Sequence, residues 1–290
     1  MSELIQFILS GLTNGAIYAL IALGFTIIYN ATEVINFAQG EFVMLGAMFM
    51  ATFCSLRLPI PLAFLLSVGL TSLVGIIIER LAIYPARQAS HITLIIITIG
   101  LSILIKGVAM FVWGKDPLSV PSFLGDKPIK LLGATIIPQK ILIVCATLIC
   151  VLLIEIFFRK TLVGKAMRAA AANRLAARLI GVKVEPLVLL AFALSAATSA
   201  VAGVVISPIT FATYDMGTLL GLKGFSAAVL GGLTSGLGAV IGGFVLGLLE
   251  SFAAGFISSA YKDAAAFVIL ILVLLLKPEG LFGKGAVKKL

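Results

Sequence analysis

The chain has 290 residues, 61% of them hydrophobic and 11% charged, with a formal net charge of +9 and a mean hydropathy of +1.21. Soluble domains carry roughly a quarter charged residues, so this composition excludes one and predicts an all-α polytopic membrane protein. The positive excess does not indicate nucleic acid, because the basic residues cluster in loops and at the tail, where membrane topology concentrates them.

The start, MSELIQF, has no basic region ahead of its apolar stretch, so residues 4–29 are expected as a retained first span. Residues 30–39 (NATEVINFAQ) are polar without a basic residue, and a second span of about 20 residues must begin near Val34. That draws Asn36, Gln39 and Glu41 into or against the membrane. The third and fourth spans are predicted over 61–83 and 92–112, with a polar turn holding His91 between them. Residues 113–139 contain four prolines and read as an extended loop. The fifth span covers 140–158, and the sixth covers 187–207, cut by Pro208. Residues 219–256 form one glycine-rich apolar region, which GGLTSGLGAVIGG (231–243) splits into two helices. The last apolar run, 264–276, is stopped by KPEG. Together these make one domain over 1–290 with about eight to nine helical passes, some broken or re-entrant.

Between the fifth and sixth spans lies the longest polar-enriched interruption, 159–186 (RKTLVGKAMRAAAANRLAARLIGVKVEP), with seven basic residues against the single acid Glu185. Residues 167–180 read as one short helix, alanine-rich and stopped by Gly181. Leu175 and Leu179, with Ala172 and Ala176 alongside, form an apolar stripe; Arg174 and Arg178 lie on a neighbouring face. Such a helix can lie on lipid headgroups or dock into a partner's groove, or the segment can serve only as a basic loop that sets topology. Placing this segment and the basic tail (277–290) in the cytoplasm puts thirteen basic residues inside against seven outside. Parity then makes the glycine break at 234–236 a reversal and leaves the N-terminus outside.

Two polar-interrupted apolar segments recur, one in each half. The first holds Asn36, Phe37, Gln39 and Glu41; the second holds Phe225, Thr234 and Ser235. Irregular backbone at membrane depth is tolerated where it lines a wet cavity or is buried in protein, and paired interruptions point to a translocation path. The competing reading is that glycines such as Gly238, Gly242, Gly243 and Gly247 only let helices approach. Glu155 is expected to pair with Arg159, and Lys106 to snorkel outward. Glu250 and Asp215 stay unassigned, and no connected chain of titratable groups is legible. The spacing of Cys54, Cys145 and Cys150 fits neither zinc nor a disulfide framework. No phosphate loop, HExxH or GxSxG occurs, so no catalytic group, metal or bound cofactor is expected, and if transport is uphill its energy must come from elsewhere.

Six blocks in order carry a resemblance: GLTNGAIYALIALGFTIIYN (11–30), INFAQGEFVMLGA (35–47), GKAMRAAAANRLAARLIGV (164–182), KGFSAAVLGGLTSGLGAVIGG (223–243), YKD (261–263) and KPEGLFG (277–283). The chain resembles the LivH-type permease subunits of the branched-chain amino acid ABC importer family over nearly its whole length. The resemblance implies an all-helical bacterial inner-membrane permease working by alternating access. It implies as partners a second homologous permease, two cytoplasmic ABC ATPases that use the ATP, and a periplasmic amino-acid-binding protein. It also assigns ATPase coupling to residues 168–181, among them Arg168, Ala172, Asn173, Arg174, Leu175, Ala176, Arg178, Leu179 and Gly181. The family usually carries acidic residues shortly before the run that ends in this glycine. Here Ala172 and Asn173 stand in those places and two arginines follow, which predicts an acidic patch on the partner. Sister systems move urea, short-chain amides or other amino acids with similar permeases; a self-contained channel or secondary carrier would instead need paired acidic residues within spans.

Overall fold

Apolar runs of this length become helices because hydrocarbon offers the backbone no other hydrogen-bond partner. A computed structural model of the chain describes residues 2–125, 127–131, 134–277 and 279–283. Its helices are α1 (Ser2–Thr32), α2 (Gln39–Ser55), α3 (Ile60–Ile78), α4 (His91–Trp113), α5 (Pro138–Lys160), α6 (Leu162–Ala172), α7 (Arg174–Leu179), α8 (Val184–Thr210), α9 (Met216–Gly231), α10 (Gly236–Phe256) and α11 (Lys262–Leu276). A π-helical turn, Glu79–Ile83, continues α3, and a hairpin pairs β1 (Ile129–Leu131) with β2 (Ala134–Ile136). Among the described residues, six helices are long and apolar enough to cross a membrane: α1, α3 with its π turn, α4, α5, α8 and α10. By contrast α2, α9 and α11 have 17, 16 and 15 residues. At ~1.5 Å per residue they fall short of a hydrocarbon core of ~30 Å.

The centre of the bundle is the antiparallel pair α1 and α10, packed backbone to backbone. A Cβ on Gly15 would sit 2.7 Å from the Cα of Phe244, and one on Gly11 would sit 2.8 Å from the Cα of Leu248. Contact this close is the main attraction available between helices in lipid, where burial of apolar surface drives little. Outside this centre, α3, α4 and α5 turn large apolar side chains outward, as Leu65, Phe111 and Leu153 do.

Two faces follow from the contacts at the helix ends. On one, Arg174 of α7 donates to the carbonyl of Ala31 at the end of α1, and Asn30 reaches Thr234 in the α9–α10 turn at 3.3 Å. The amides of Leu281 and Phe282 bond to Leu230 and Gly231 there. This is the basic face. On the other, Trp113 donates to Thr52 at 2.7 Å, Ser251 to Phe7 at 2.7 Å, and Leu118 bridges Ala212. The break between α9 and α10 is therefore a reversal at the basic face, as parity requires.

Four expectations are corrected. Residues 167–180 do not form one helix: Asn173 is extended (φ −157°, ψ 105°), and its Oδ1 caps the new helix α7 at Ala176. The second span does not start helically near Val34. Glu33 turns out of α1 with φ 59°, and α2 begins only at Gln39. Pro208 does not cut α8, because the Val204 carbonyl that it cannot bond accepts from Ser207 at 2.9 Å and the helix runs on to Thr210. The loop 113–139 carries the β1–β2 hairpin. Of the basic tail, Lys284, Lys288 and Lys289 lie outside the described residues.

The α1–α10 packing yields a direct test. Replacing Gly247 with Leu would force a side chain against Gly15 and Gly11, its Cβ 2.6 Å from the Gly11 carbonyl oxygen. Overpacking of this kind costs ~1–3 kcal/mol, so the unfolding temperature in detergent should fall. Gly69→Leu, where an added Cβ meets no neighbouring element within 4 Å among the described residues, should leave it unchanged.

Candidate translocation site

Residues 33–38 leave the basic face and run back into the bundle, with Val34, Asn36 and Ala38 buried. Their exposed amides must be satisfied inside the protein. The amide of Phe37 donates to Thr98 of α4 at 3.1 Å. The Asn36 Oδ1 accepts from Ala38 at 3.1 Å, and its carbonyl accepts from Gln39, so Asn36 opens α2. Its Nδ2 has no hydrogen-bond partner among the described residues.

Gln39 then ties three helices together. Its Nε2 donates to Ser199 at 2.6 Å and to the Ser195 carbonyl at 3.3 Å, while its Oε1 accepts from the Ser195 hydroxyl at 2.7 Å. Ser195 also lies 2.9 Å from the Gly24 carbonyl. The knot closes only because residue 24 is glycine: a Cβ there would stand 3.1 Å from both Gln39 Cδ and Ser195 Oγ.

One residue further, the backbones of α2 and α9 cross. A Cβ on Gly40 would lie 2.9 Å from Gly221 Cα, and one on Gly217 would lie 2.5 Å from the Gly40 carbonyl oxygen. The two short helices thus meet at their N-terminal ends, neither closed by a side-chain cap. Glu41, in the first turn of α2, stands at this junction. Its Oε1 accepts from Ser102 of α4 at 2.8 Å, and Oε2 has no hydrogen-bond partner among the described residues. Helix N-termini carry partial positive charge, so a carboxylate is stabilised there. Beside the junction, Phe37 and Phe225 lie 5.8 Å apart, and Phe25 is 5.8 Å from Phe225. The segments holding Phe37 and Phe225 are thus brought together in space. Thr234 and Ser235 are placed elsewhere, in the α9–α10 turn, where Ser235 caps α10 at Gly238 with a 3.1 Å bond.

The predicted coupling segment is displayed at the basic face. Arg168, Ala172, Leu175, Ala176 and Leu179 are exposed, with Leu175 at 70% and Leu179 at 80%. Gly181 ends α7 with φ +87°; its amide bonds Arg178 and that of Val182 bonds Ala177, which closes the last turn. Arg174 holds the end of α1, and Arg178 pairs with Glu185 at 3.5 Å. Both arginines are engaged within the chain, so an acidic partner is not needed to account for them. Glu155 pairs with Arg159 as expected, and Lys106 lies 5.9 Å over the ring of Tyr214.

A second polar centre went unread in the sequence. Lys223 of α9 is 97% buried, donates to Glu250 of α10 at 2.7 Å and forms an ion pair with Asp263 of α11 at 2.6 Å; Tyr18 of α1 donates to Glu250 at 2.7 Å. This connected titratable cluster joins α1 to the three consecutive helices α9, α10 and α11. The available signal was local: Lys223 and Glu250 are lone charges in apolar runs, and such charges need partners.

Residues 7–274 match the family described as branched-chain amino acid transport system / permease component. The "High-affinity branched-chain amino acid transport system permease protein LivH" of Salmonella typhimurium is 34% identical, covering 98% of this chain and 97% of its own. The protein BraD of Pseudomonas aeruginosa, which carries the same description, is 35% identical with the same coverage. More distant, the "Autoinducer 2 import system permease protein LsrC" of Shigella flexneri is 28% identical over 90% of this chain and 76% of its own.

The buried cluster behaves as a unit. Lys223→Met leaves Glu250 uncompensated and should cost ~3–5 kcal/mol, as the loss of one partner of a buried ion pair does. The double variant Lys223→Met/Glu250→Gln should recover at least half of that loss, measured by denaturant unfolding in detergent.

Proposed function

This chain belongs to the branched-chain amino acid transport system permease family, and on that premise we propose how it works. It is the membrane-spanning permease subunit of an ATP-driven importer for branched-chain or other small amino acids. A second, homologous permease completes the passage, two cytoplasmic ATPases hydrolyse the ATP, and a periplasmic binding protein delivers the cargo. The chain lies in the bacterial inner membrane with its basic face in the cytoplasm and its N-terminus outside. It binds no cofactor and carries no catalytic group of its own.

Cargo passes the junction of α2 and α9. The positive ends of both helices favour the carboxylate of a zwitterion, Glu41 favours its ammonium, and Phe25, Phe37 and Phe225 offer an apolar wall to its side chain. LsrC, with another cargo in its name, keeps a related sequence, so urea and short-chain amides remain the alternative within the same machinery.

The observation that carries the coupling role is the division of labour on α7. Its arginines grip the bundle while Leu175 and Leu179 face outward, unused by their own chain. An ATPase that engages the two leucines would pull Arg174 and with it the end of α1. The strain would pass through residues 33–38 to Asn36, Gln39 and Glu41, where α2 starts. Alternating access follows when ATP closes the ATPase dimer and this connection swings the junction from one side to the other.

Leu175→Asp/Leu179→Asp should abolish co-purification of the ATPases and of binding-protein-dependent uptake, with helix content by circular dichroism unchanged. Full co-purification and uptake in that variant would refute the coupling role.

A further inference from the structure

A cavity of about 440 Å³ opens at the basic face, bordered by α7, the start of α8 and the π-helical turn that ends α3. Glu79 in that turn is 2% exposed, yet its Oε2 has no hydrogen-bond partner among the described residues. A buried carboxylate oxygen left unpaired is costly, so the site asks for a cationic donor. The same cavity is bordered by Arg87 and Arg174. Arg87 is held in place over the ring of Tyr84 at 4.5 Å and beside Glu185 at 3.8 Å. Each guanidinium has five N–H donors, so both retain donors for a further anion. Leu94, Val184 and Val188 add aliphatic surface to the same lining.

No single-charged ligand suits this lining: the arginines repel a lone cation, and Glu79 repels a lone anion. An ammonium, a carboxylate and a short aliphatic side chain on one small molecule satisfy all three surfaces. We propose that this cavity binds a free aliphatic amino acid from the cytoplasm. Its ammonium pairs with Glu79, its carboxylate with Arg87 and Arg174, and its side chain packs on Leu94, Val184 and Val188. The proposal rests on the orientation and importer reading given above. Its consequence is regulatory. The bound amino acid fastens α7 to the π turn through Arg174, in addition to the Arg178–Glu185–Arg87 bridge already there. A fastened α7 follows the ATPases less, so accumulated product slows its own import. Single π turns within helices often sit at functional positions, and this one places Glu79 at the cavity.

The test uses proteoliposomes holding the full permease–ATPase complex with ATP enclosed, supplied with loaded binding protein outside. Unlabelled leucine enclosed in the vesicles should lower the initial rate of labelled leucine uptake several-fold. Enclosed isoamylamine, which lacks the carboxylate, and isocaproate, which lacks the ammonium, should not. Glu79→Gln, and independently Val188→Trp, should raise the half-inhibiting internal leucine concentration by about tenfold or more, while uptake into ATP-loaded vesicles without internal leucine persists. Equal inhibition in wild type and both variants, inhibition by the amine or the acid alone, or no inhibition at all would overturn the proposal. Absence of uptake into ATP-loaded wild-type vesicles without internal leucine would count against the importer reading instead. Labelled leucine binding to the purified complex, weakened by the same two substitutions or indifferent to them, would then decide the cavity by itself.

Discussion

Hydrocarbon supplies no hydrogen bonds, and α2 nevertheless begins inside the bundle. That constraint organises the rest of the structure. The amides of Phe37, Ala38 and Gln39 cannot reach water, so Thr98, the Asn36 side chain and the Asn36 carbonyl take them up. Gln39 then fastens the new helix to Ser195 and Ser199, and the approach requires a glycine at position 24. A continuous helix from Val34 would have needed none of this. The interruption is maintained by four residues from three other helices, Thr98, Ser195, Ser199 and Gly24, and what it achieves is to set Glu41 and a helix N-terminus against the N-terminal end of α9.

The interruption is also where force can enter. Thr32 ends α1, Glu33 turns the chain with φ 59°, and Arg174 of α7 holds the Ala31 carbonyl just before that turn. On the proposed coupling, movement of α7 would pass along a few residues to the start of α2. The α1–α10 pair, locked through glycine contacts, and the Lys223 cluster, which ties α1, α9, α10 and α11, resist the same movement. One part of the molecule is built to yield and another to stay, a division common to hinge-type closure.

Much of this was legible in the sequence. Hydropathy placed the long helices to within a few residues, and charge parity required the reversal between α9 and α10. The polar run 33–41 announced hydrogen-bonding side chains at membrane depth, but not that α2 begins only at Gln39 instead of near Val34. What stayed hidden was pairing across the chain. Gln39 meets Ser195 and Ser199 roughly 160 positions away, and Tyr18 meets Glu250 at a separation of 232; spacing along one strand of sequence says nothing about such contacts. The break at Asn173 was missed for a different reason. Alanine-rich propensity favours a continuous helix, and the capping preference of a single asparagine overrode it.

The passage itself is tested most directly by thiol access. With Cys54, Cys145 and Cys150 replaced by Ser, a single cysteine at Phe37 or Phe225 would be challenged with a membrane-impermeant reagent from each side of oriented vesicles holding the full complex. The account predicts that both positions react from the outside in one nucleotide state and from the inside in the other, never from both sides at once. Labelling from neither side in any state, or from both sides in the same state, would contradict a passage at the α2–α9 junction.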